Sequence, residues 1–225
     1  MTNRGWQPAP EERSVEISPV WFRLIDDVTD RAPIAPVTVH LDIQDGPDWR
    51  PLDTKATITT AGMVTFLGLE RRRPVAGVPR RHYRVRVESD YYRPLYRELA
   101  SGVEFQTVPM DEQSAPLPVP QDLVLLPSST YPLAAHVRRV RGEVHDQTGS
   151  PVEDVVVSNR VQIGATFLTE RTLTDERGAF TLALRWVTPG TTATVNAIDR
   201  RTNHVGSINV AVPTDLQHSN LIQIV

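Results

Sequence analysis

The sequence predicts an all-β protein made of two tandem β-sandwich domains joined by a proline-rich linker. Three observations support this prediction. The 225 residues include 19 prolines and 12 glycines, with 40% hydrophobic and 23% charged side chains, a composition typical of a folded chain with short strands and rigid turns. Short segments alternate apolar and polar residues, and one order of such segments occurs twice along the chain.

Alternating side chains indicate half-buried strands, because successive residues of a strand point to opposite faces of the sheet. Residues 180–184 place Phe, Leu and Leu on one face, and similar alternation occurs in residues 84–87 and 208–212. Gly62 and Gly178 lie between such segments. Since glycine accepts a positive φ, both are predicted to close hairpins.

The repeated order sets the predicted domain boundaries. Each copy has a strand, a polar turn with proline, a strand, a turn with glycine and further strands. Between the copies, residues 109–132 contain six prolines and no basic residue, which is typical of an extended, semi-rigid linker outside the sheets. The predicted organisation is an N-terminal arm (1–12), a first β-sandwich domain (13–108), the proline-rich linker (109–136) and a second β-sandwich domain (137–225).

Charge and composition exclude several classes of partner. The net charge is −3, from 24 basic and 27 acidic side chains, so no overall field favours nucleic acid or an anionic membrane. Cysteine is absent, which favours a reducing compartment. No apolar run is long enough for a signal peptide or a membrane span. We expect no nucleic-acid partner, no membrane insertion and a cytoplasmic location, with the protein free or part of a particle.

The second copy carries an ordered pattern of a G-x-V strand, a D-x-x-G-x-P-V turn and a T-x-T-D-x-x-G-x-F segment. Its positions are Gly142, Val144, Asp146, Gly149, Pro151, Val152, Thr172, Thr174, Asp175, Gly178 and Phe180. This pattern resembles the carboxypeptidase regulatory-like family. The resemblance implies a seven-stranded prealbumin-like or immunoglobulin-like sandwich that serves as a folding aid, spacer or docking module, without peptidase activity. The first copy departs from the pattern, with Arg31 and Ala32 at the turn.

A second resemblance concerns the entry into the second domain. Residues 123–133, LVLLPSSTYPL, are followed by VRRVRGEV at 137–144. This phrase is similar to the entry of such modules in proteins of phage-tail-like contractile injection systems. It implies an accessory or cap structural subunit, with sheath, cap or baseplate proteins as partners and oligomerisation through the assembly.

Catalytic motifs are missing from the sequence. It has no G-x-S-x-G elbow, no phosphate-binding loop and no G-x-G-x-x-G, and its six histidines have no zinc-ligand spacing. We therefore predict no enzymatic activity, no cofactor and no catalytic, cofactor-binding or metal-binding residues. An iron-dependent dioxygenase on a related sandwich remains an alternative. Its candidate iron ligands are His82, Tyr91 and Tyr92, which are close together in the sequence. Adjacent tyrosines on one strand point to opposite faces, which opposes that alternative.

Paired carboxylates occur at Asp26 and Asp27 and at Glu153 and Asp154. Both pairs fall in predicted turns. A carboxylate in a turn commonly accepts hydrogen bonds from nearby backbone N–H groups. We therefore expect these residues to cap turns.

The basic run from residue 70 to residue 87 holds seven arginines. Residues 1–108 nevertheless contain 15 basic and 15 acidic side chains, so this half of the chain is neutral and many arginines are expected to be paired within it. Exposed arginine and tyrosine are enriched at protein interfaces. The predicted contact residues are Arg71, Arg72, Arg73, Arg80, Arg81, Tyr91 and Tyr92.

These observations favour a non-enzymatic structural or adaptor subunit of a large, cytoplasmically assembled complex, with a contractile injection or phage-tail-like particle as the specific candidate. The alternative class is a carbohydrate- or peptide-binding module. Such a module would need an aromatic platform, and the four tryptophans are dispersed in the sequence.

Overall fold

The architecture of the chain is given by a computed structural model, which describes residues 18, 20–67, 69, 81–97, 100–107 and 119–225. This part of the chain is mostly β-strand, with a single-turn 3₁₀ helix at Thr214–Gln217 and no α-helix. The predicted all-β fold class is confirmed. No helix in the described ranges is long and apolar enough to cross a membrane.

The first sandwich packs two sheets around one core. Its described strands are β1 (Trp21–Asp26), β2 (Thr38–Asp45), β3 (Asp48–Leu52), β4 (Thr57–Ile58), β5 (Met63–Thr65), β6 (His82–Glu88), β7 (Tyr92–Pro94), β8 (Val103–Gln106) and β9 (Gln121–Pro127). One sheet has the order β4-β5-β1-β9-β7 and the other has the order β3-β2-β6-β8. Their inward side chains, including Phe22, Val64, Tyr83, Val85 and Leu125, form the first core.

The second sandwich has a core of its own. Its strands are β10 (Arg138–His145), β11 (Val156–Ile163), β12 (Thr166–Leu173), β13 (Ala179–Leu184), β14 (Thr192–Ile198), β15 (Val205–Ala211) and β16 (Ser219–Gln223). These seven strands form sheets in the orders β13-β10-β16 and β12-β11-β14-β15. Phe180, Leu182 and Leu184 all point into the core, as their alternation predicts.

The described strands of the two sandwiches share a seven-strand topology, to which the first sandwich adds β4 and β7. β1 pairs antiparallel with β5 and parallel with β9, and β10 likewise pairs antiparallel with β13 and parallel with β16. In the facing sheets, β2 lies between β3 and β6 as β11 lies between β12 and β14. The internal repeat predicted from the sequence therefore corresponds to a repeated pattern of strand pairing.

Part of the predicted linker is a strand of the first sandwich, which corrects the prediction. Residues 121–127 form β9 and lie between β1 and β7. Leu123 and Leu125 are buried in the first core. Pro120 precedes the strand and Pro127 ends it, so neither removes a donor from the strand interior. Residues 109–118 of the predicted linker and the predicted arm, 1–12, lie outside the described residues.

Gly62 and Gly178 occupy equivalent turns. Their φ values are +76° and +70°, and their carbonyl oxygens accept hydrogen bonds from the N–H groups of Leu24 and Val144, each at 2.9 Å. Gly62 closes the β4–β5 hairpin, as predicted. Gly178 instead connects β12 to β13, which belong to different sheets. A Cβ at Gly178 would lie 2.6 Å from the Val144 oxygen, so this crossover requires glycine.

The residues of the carboxypeptidase regulatory-like pattern build turns. Asp146 Oδ1 accepts hydrogen bonds from the N–H groups of Thr148 at 2.8 Å and Ser150 at 2.9 Å. Asp175 Oδ1 accepts a 2.9 Å hydrogen bond from the N–H of Ala179. Both carboxylates accept hydrogen bonds from backbone N–H groups in turns between strands. The aspartates of the pattern are therefore residues that stabilise turns.

Replacing Leu125 with alanine is expected to lower the free energy of unfolding by about 2–5 kcal/mol, because this side chain is fully buried in the first core. Val119→Ala is the control, at a position 83% exposed just before β9, and should change the stability by less than about 0.5 kcal/mol. Urea denaturation followed by tryptophan fluorescence measures both variants. Equally small effects would support the linker interpretation of residues 121–127.

Candidate functional site

Three of the seven predicted contact residues belong to the described part of the chain. Arg81 is exposed immediately before β6, and Tyr91 is half-buried immediately before β7. Tyr92 is the first residue of β7 and is buried. The other four, Arg71, Arg72, Arg73 and Arg80, lie outside the described residues.

Tyr92 is not a surface contact residue, because its side chain packs in the first core and only 1% of the residue is exposed. Its hydroxyl donates to Asp26 Oδ2 at 3.0 Å and accepts from the Ile34 N–H at 3.0 Å. Tyr131 donates to the same carboxylate oxygen at 2.8 Å, and the Val28 N–H donates to Asp26 Oδ1 at 2.8 Å. The predicted turn-capping role of Asp26 is thus confirmed, and its carboxylate also orders two tyrosines.

Burial changes the acidity of both tyrosines. It raises the pKa of Tyr92 to about 12 and also raises the pKa of Tyr131. Each hydroxyl therefore stays protonated and donates to the Asp26 carboxylate well above neutral pH. The two rings meet edge to face with their centroids 5.4 Å apart, so this cluster is packed as well as hydrogen-bonded.

His82, Tyr91 and Tyr92 do not converge on one point. His82 Nδ1 lies 2.9 Å from Gln44 Oε1 on the outer face of the β3-β2-β6-β8 sheet, whereas Tyr92 points into the core. Within the described ranges, no three His, Cys, Asp or Glu side chains are grouped so that they could hold a metal ion. His82 and Tyr92 therefore do not meet at a common site for an iron ion.

The two sandwiches meet along a junction where arginines supply many of the polar contacts. On one side, the Arg171 guanidinium of β12 binds the carboxylate of Asp27, which follows β1 and is 10% exposed. Arg185 donates to the Val28 carbonyl oxygen next to it. Asp27, which was predicted to cap a turn, thus binds an arginine 144 residues away.

On the other side of the junction the arginine belongs to the first sandwich and the carboxylates belong to the second. Arg93 of β7 donates to Glu153 Oε1 at 2.7 Å and to Asp154 Oδ1 at 3.2 Å. Burial opposes the charge of Arg93, but the hydrogen bond to Glu153 and the charge of Asp154 outweigh it and raise the arginine pKa. Arg200 donates to the Tyr96 carbonyl oxygen at 2.5 Å. Glu153 and Asp154, predicted as turn caps, therefore bind across the junction.

The centre of the junction is formed by β9 and β12. These strands lie against each other, and Thr172 Oγ1 donates to the Pro127 carbonyl oxygen at 2.7 Å. Leu126 and Leu173 are buried but belong to neither core. The junction thus combines an apolar centre with charged contacts on both sides, and it restricts rotation as well as separation.

A cleft of about 780 Å³ opens beside the junction. Its walls include Tyr91, Arg93, Tyr96, Glu153, Asp154 and Arg200. Burial raises the pKa of Tyr96 to about 12, and its hydroxyl accepts a 2.7 Å hydrogen bond from the Val87 N–H. Arg93 and the two carboxylates bind one another, so these wall residues orient the sandwiches. The sequence carried no signal for this arrangement, apart from marking Tyr91 as a contact residue.

The basic run is partly neutralised within the first sandwich. Asp42 is 1% exposed and accepts hydrogen bonds from Arg84 at 2.7 Å and from Arg86 at 2.7 Å. The hydrogen bond from Arg86 is the largest of the effects that hold the pKa of Asp42 below its usual value. The expected local pairing of arginines is therefore found at two positions of the run.

No family model and no curated protein matches the chain. Among solved structures, the shaft pilin SpaA from Lactobacillus rhamnosus GG has 12% identity and a TM-score of 0.32, over 91% of this chain and 96% of that chain. A streptococcal ancillary pilin has 11% identity and a TM-score of 0.30 over 91% of this chain, which spans 61% of the pilin's length. A C-terminal fragment of the pilus adhesin SpaC, from the same Lactobacillus, has 11% identity and a TM-score of 0.24, over 91% of this chain and 95% of that chain.

These three similarities have TM-scores of 0.24 to 0.32 and show no role for this chain. They do not support the predicted contractile injection system, and the carboxypeptidase regulatory-like family and the cytoplasmic location also stay predictions.

Replacing Tyr92 with phenylalanine is expected to lower the free energy of unfolding by about 1.5–3 kcal/mol, because a hydrogen bond to a buried carboxylate is lost. Tyr91→Phe is the control, since Tyr91 has no part in the Asp26 cluster. Urea denaturation near neutral pH measures both variants. Equal stability of the two variants would contradict the assigned role of Tyr92.

The stability of the protein is expected to fall as pH rises from roughly 10 toward about 12. The folded pKa of Tyr92 is raised, so its contribution is complete below the unfolded pKa and is lost as pH rises through the folded pKa. Unfolding free energies measured across this interval should fall less steeply for Tyr92→Phe than for the wild type. Parallel curves would contradict this assignment.

Arg171 and Asp27 are expected to show a coupling energy of about 1.5–3 kcal/mol, because a charged hydrogen bond is partly buried there. A double-mutant cycle with Arg171→Ala and Asp27→Ala, followed by chemical denaturation, measures it. The exposed pair Arg50 and Asp45, at 3.0 Å, is the control and should couple by less than about 1 kcal/mol. Similar values for the two pairs would contradict a role for Arg171 in the junction.

Proposed function

We propose that this protein is a non-enzymatic structural or adaptor subunit that acts through protein–protein contacts. The observation that carries the proposal is the junction, which holds two sandwiches with a shared seven-strand topology in a single orientation. Asp27 and Arg93 lie on opposite sides of β9, because β9 separates β1 from β7 in the sheet. Contacts on both sides make the pair a rigid spacer rather than two tethered modules.

A rigid spacer suits an assembly because it presents two binding surfaces at a set distance. Because their orientation is fixed in advance, less conformational entropy is lost when a partner binds. Flexible tethers would instead be used where each module binds independently. The charged contacts across the junction therefore favour a structural role over independent binding by each sandwich.

The proposed contact residues of the first sandwich are Arg71, Arg72, Arg73, Arg80, Arg81 and Tyr91. Of this set, the structure describes Arg81 and Tyr91. Asp42 binds Arg84 and Arg86 inside the protein, which assigns a structural role to that end of the basic run. Arg81 is exposed, and Tyr91 borders the cleft.

A second proposed contact surface is the tip of the β11–β12 hairpin. The turn at Gly164 separates Ile163 and Phe167, which are 47% and 50% exposed. The Arg160 guanidinium lies 4.0 Å from the centre of the Phe167 ring and supports it. Register pairs Phe167 with Gln162 and Ile163 with Thr166, so the two apolar side chains lie on opposite faces of the tip. The face with Phe167 and Arg160 is the proposed contact surface, because an exposed aromatic ring is typical of protein-binding surfaces.

The specific assembly that we propose is a contractile injection or phage-tail-like particle, with sheath, cap or baseplate proteins as partners. The similarity of residues 123–144 to the entry of modules in such systems supports it. The particle would be assembled in the cytoplasm, and the protein would oligomerise through it.

Sedimentation of a cleared host lysate tests this function, with companion proteins identified by mass spectrometry. We expect the native protein to sediment with a large assembly. The triple variant Arg71→Glu, Arg72→Glu, Arg73→Glu and, separately, Phe167→Asp should shift it to the fraction expected for a 25.2 kDa monomer, with little change in Tm. Arg50→Glu is the charge-reversal control and should not shift it.

A native protein that sediments only as a monomer would overturn the structural role. Companions other than sheath, cap or baseplate proteins would retain the structural role but reject the specific particle. Retention of the glutamate triple variant in the assembly would remove the arginines from the set of contact residues.

A further inference from the structure

The outer face of the β3-β2-β6-β8 sheet carries a tryptophan together with several planar polar side chains. Register places Trp49 opposite Gln44, His82 opposite Gln106 and Arg84 opposite Glu104. The inward neighbours on β6, Tyr83 and Val85, are buried in the first core. We call Gln44, Trp49, His82, Glu104 and Gln106 the tryptophan face.

The Trp49 ring packs against the guanidinium of Arg84. Asp42, on the same side of the sheet, is 1% exposed, and Arg84, which binds it, has a side chain that is 15% exposed. The Arg84 guanidinium carbon lies 4.7 Å from the centre of the half-buried Trp49 ring. The Arg84 guanidinium therefore occupies one face of the indole. Trp49 as a residue is partly exposed, and this exposed part can meet a ligand.

The surrounding side chains hold this ring in place. Arg84 is fixed by Asp42 and by Ser101, whose Oγ accepts a 2.6 Å hydrogen bond. The His82 ring lies 5.6 Å from the Trp49 ring at an angle of 53°. His82 is in turn positioned by Gln44 at 2.9 Å and by Glu104 at 3.7 Å. The indole is thus oriented before any ligand arrives.

Charge on this side of the sheet indicates which ligands can bind. Asp42, Glu88 and Glu104 supply three carboxylates and Arg84 and Arg86 supply two guanidinium groups, so the formal balance is negative. Arg84 and Arg86 are both bound to Asp42. Among the described residues of this face, a phosphate-rich or sulfated polymer would therefore meet net repulsion and guanidinium groups that are already bound to Asp42.

We propose that the tryptophan face is a subsite for a neutral saccharide. A pyranose ring presents an apolar C–H face that can stack on the exposed part of Trp49, while its hydroxyls can exchange hydrogen bonds with Gln44, Glu104 and Gln106. These amide and carboxylate groups share the outer face of the sheet with Trp49: Gln44 lies on the neighbouring strand β2, and Glu104 and Gln106 lie on β8, beyond β6. Since Arg84 and His82 hold the indole in place, little conformational entropy is lost on binding.

This inference goes beyond the proposed function and does not depend on it. A structural subunit with such a face would hold a glycan at a set distance from its protein contacts. Failure of the saccharide site would leave the assembly role untouched, because the two are measured by different experiments.

The test is affinity electrophoresis of the purified protein in gels containing neutral polysaccharides, namely β-1,4-glucan, xylan, galactomannan and starch. Binding to the hexasaccharide of any retarding polymer is then measured by NMR titration up to about 5 mM. We expect retardation by at least one polymer and saturable shifts in β3 and β6. Trp49→Ala should weaken binding by about tenfold or more, and Trp49→Phe and Gln106→Ala by smaller factors.

Trp186→Ala is the matched control, because Trp186 is 45% exposed in the second sandwich and also lies near an arginine, Arg185. It should bind as the wild type does. Circular dichroism and thermal melting confirm that each variant is folded, and the Trp49→Phe variant covers the case in which Trp49→Ala fails to fold. Absence of binding to the whole panel would overturn the proposal, as would an equal loss in Trp49→Ala and Trp186→Ala.

Discussion

The parallel pairing of β9 with β1 is the constraint on which the rest of the structure depends. It completes the first sheet and places Leu123 and Leu125 in the first core, so the segment that leaves the first sandwich is part of it. The outward-facing Leu126 and the Pro127 carbonyl oxygen then meet the second sandwich. One strand therefore serves both the core and the junction, and the second sandwich starts from a point that cannot move freely.

Adjacent carboxylates at the end of β1 connect the core to the junction. Asp26 is buried and accepts hydrogen bonds from Tyr92, Tyr131 and the backbone, which compensates for its removal from water. Asp27, one residue later, points the other way and binds Arg171 of the second sandwich. Because Asp26 holds this turn in place, the junction depends on the folded interior of the first sandwich.

Several arginines are bound to carboxylates of the same chain, so they stabilise the fold instead of forming a charged binding surface. Arg84, Arg86, Arg93 and Arg171 each bind a carboxylate of the same chain. Their role is to hold sheets and sandwiches together, which agrees with the small net charge of −3. Arg84 has a second structural role, because its guanidinium packs against the Trp49 ring and supports it.

The sequence by itself determined what depends on near neighbours: the β class, the alternation at 180–184 and the glycine turns. It could not say that Tyr92 is buried, because burial depends on which parts of the chain cover the residue. Only the tertiary structure decided that residues 121–127 form a strand and that Asp27 meets Arg171 across 144 positions. Such pairings form between segments that are far apart in the sequence and depend on how their surfaces fit together. They therefore produce no local pattern in the sequence.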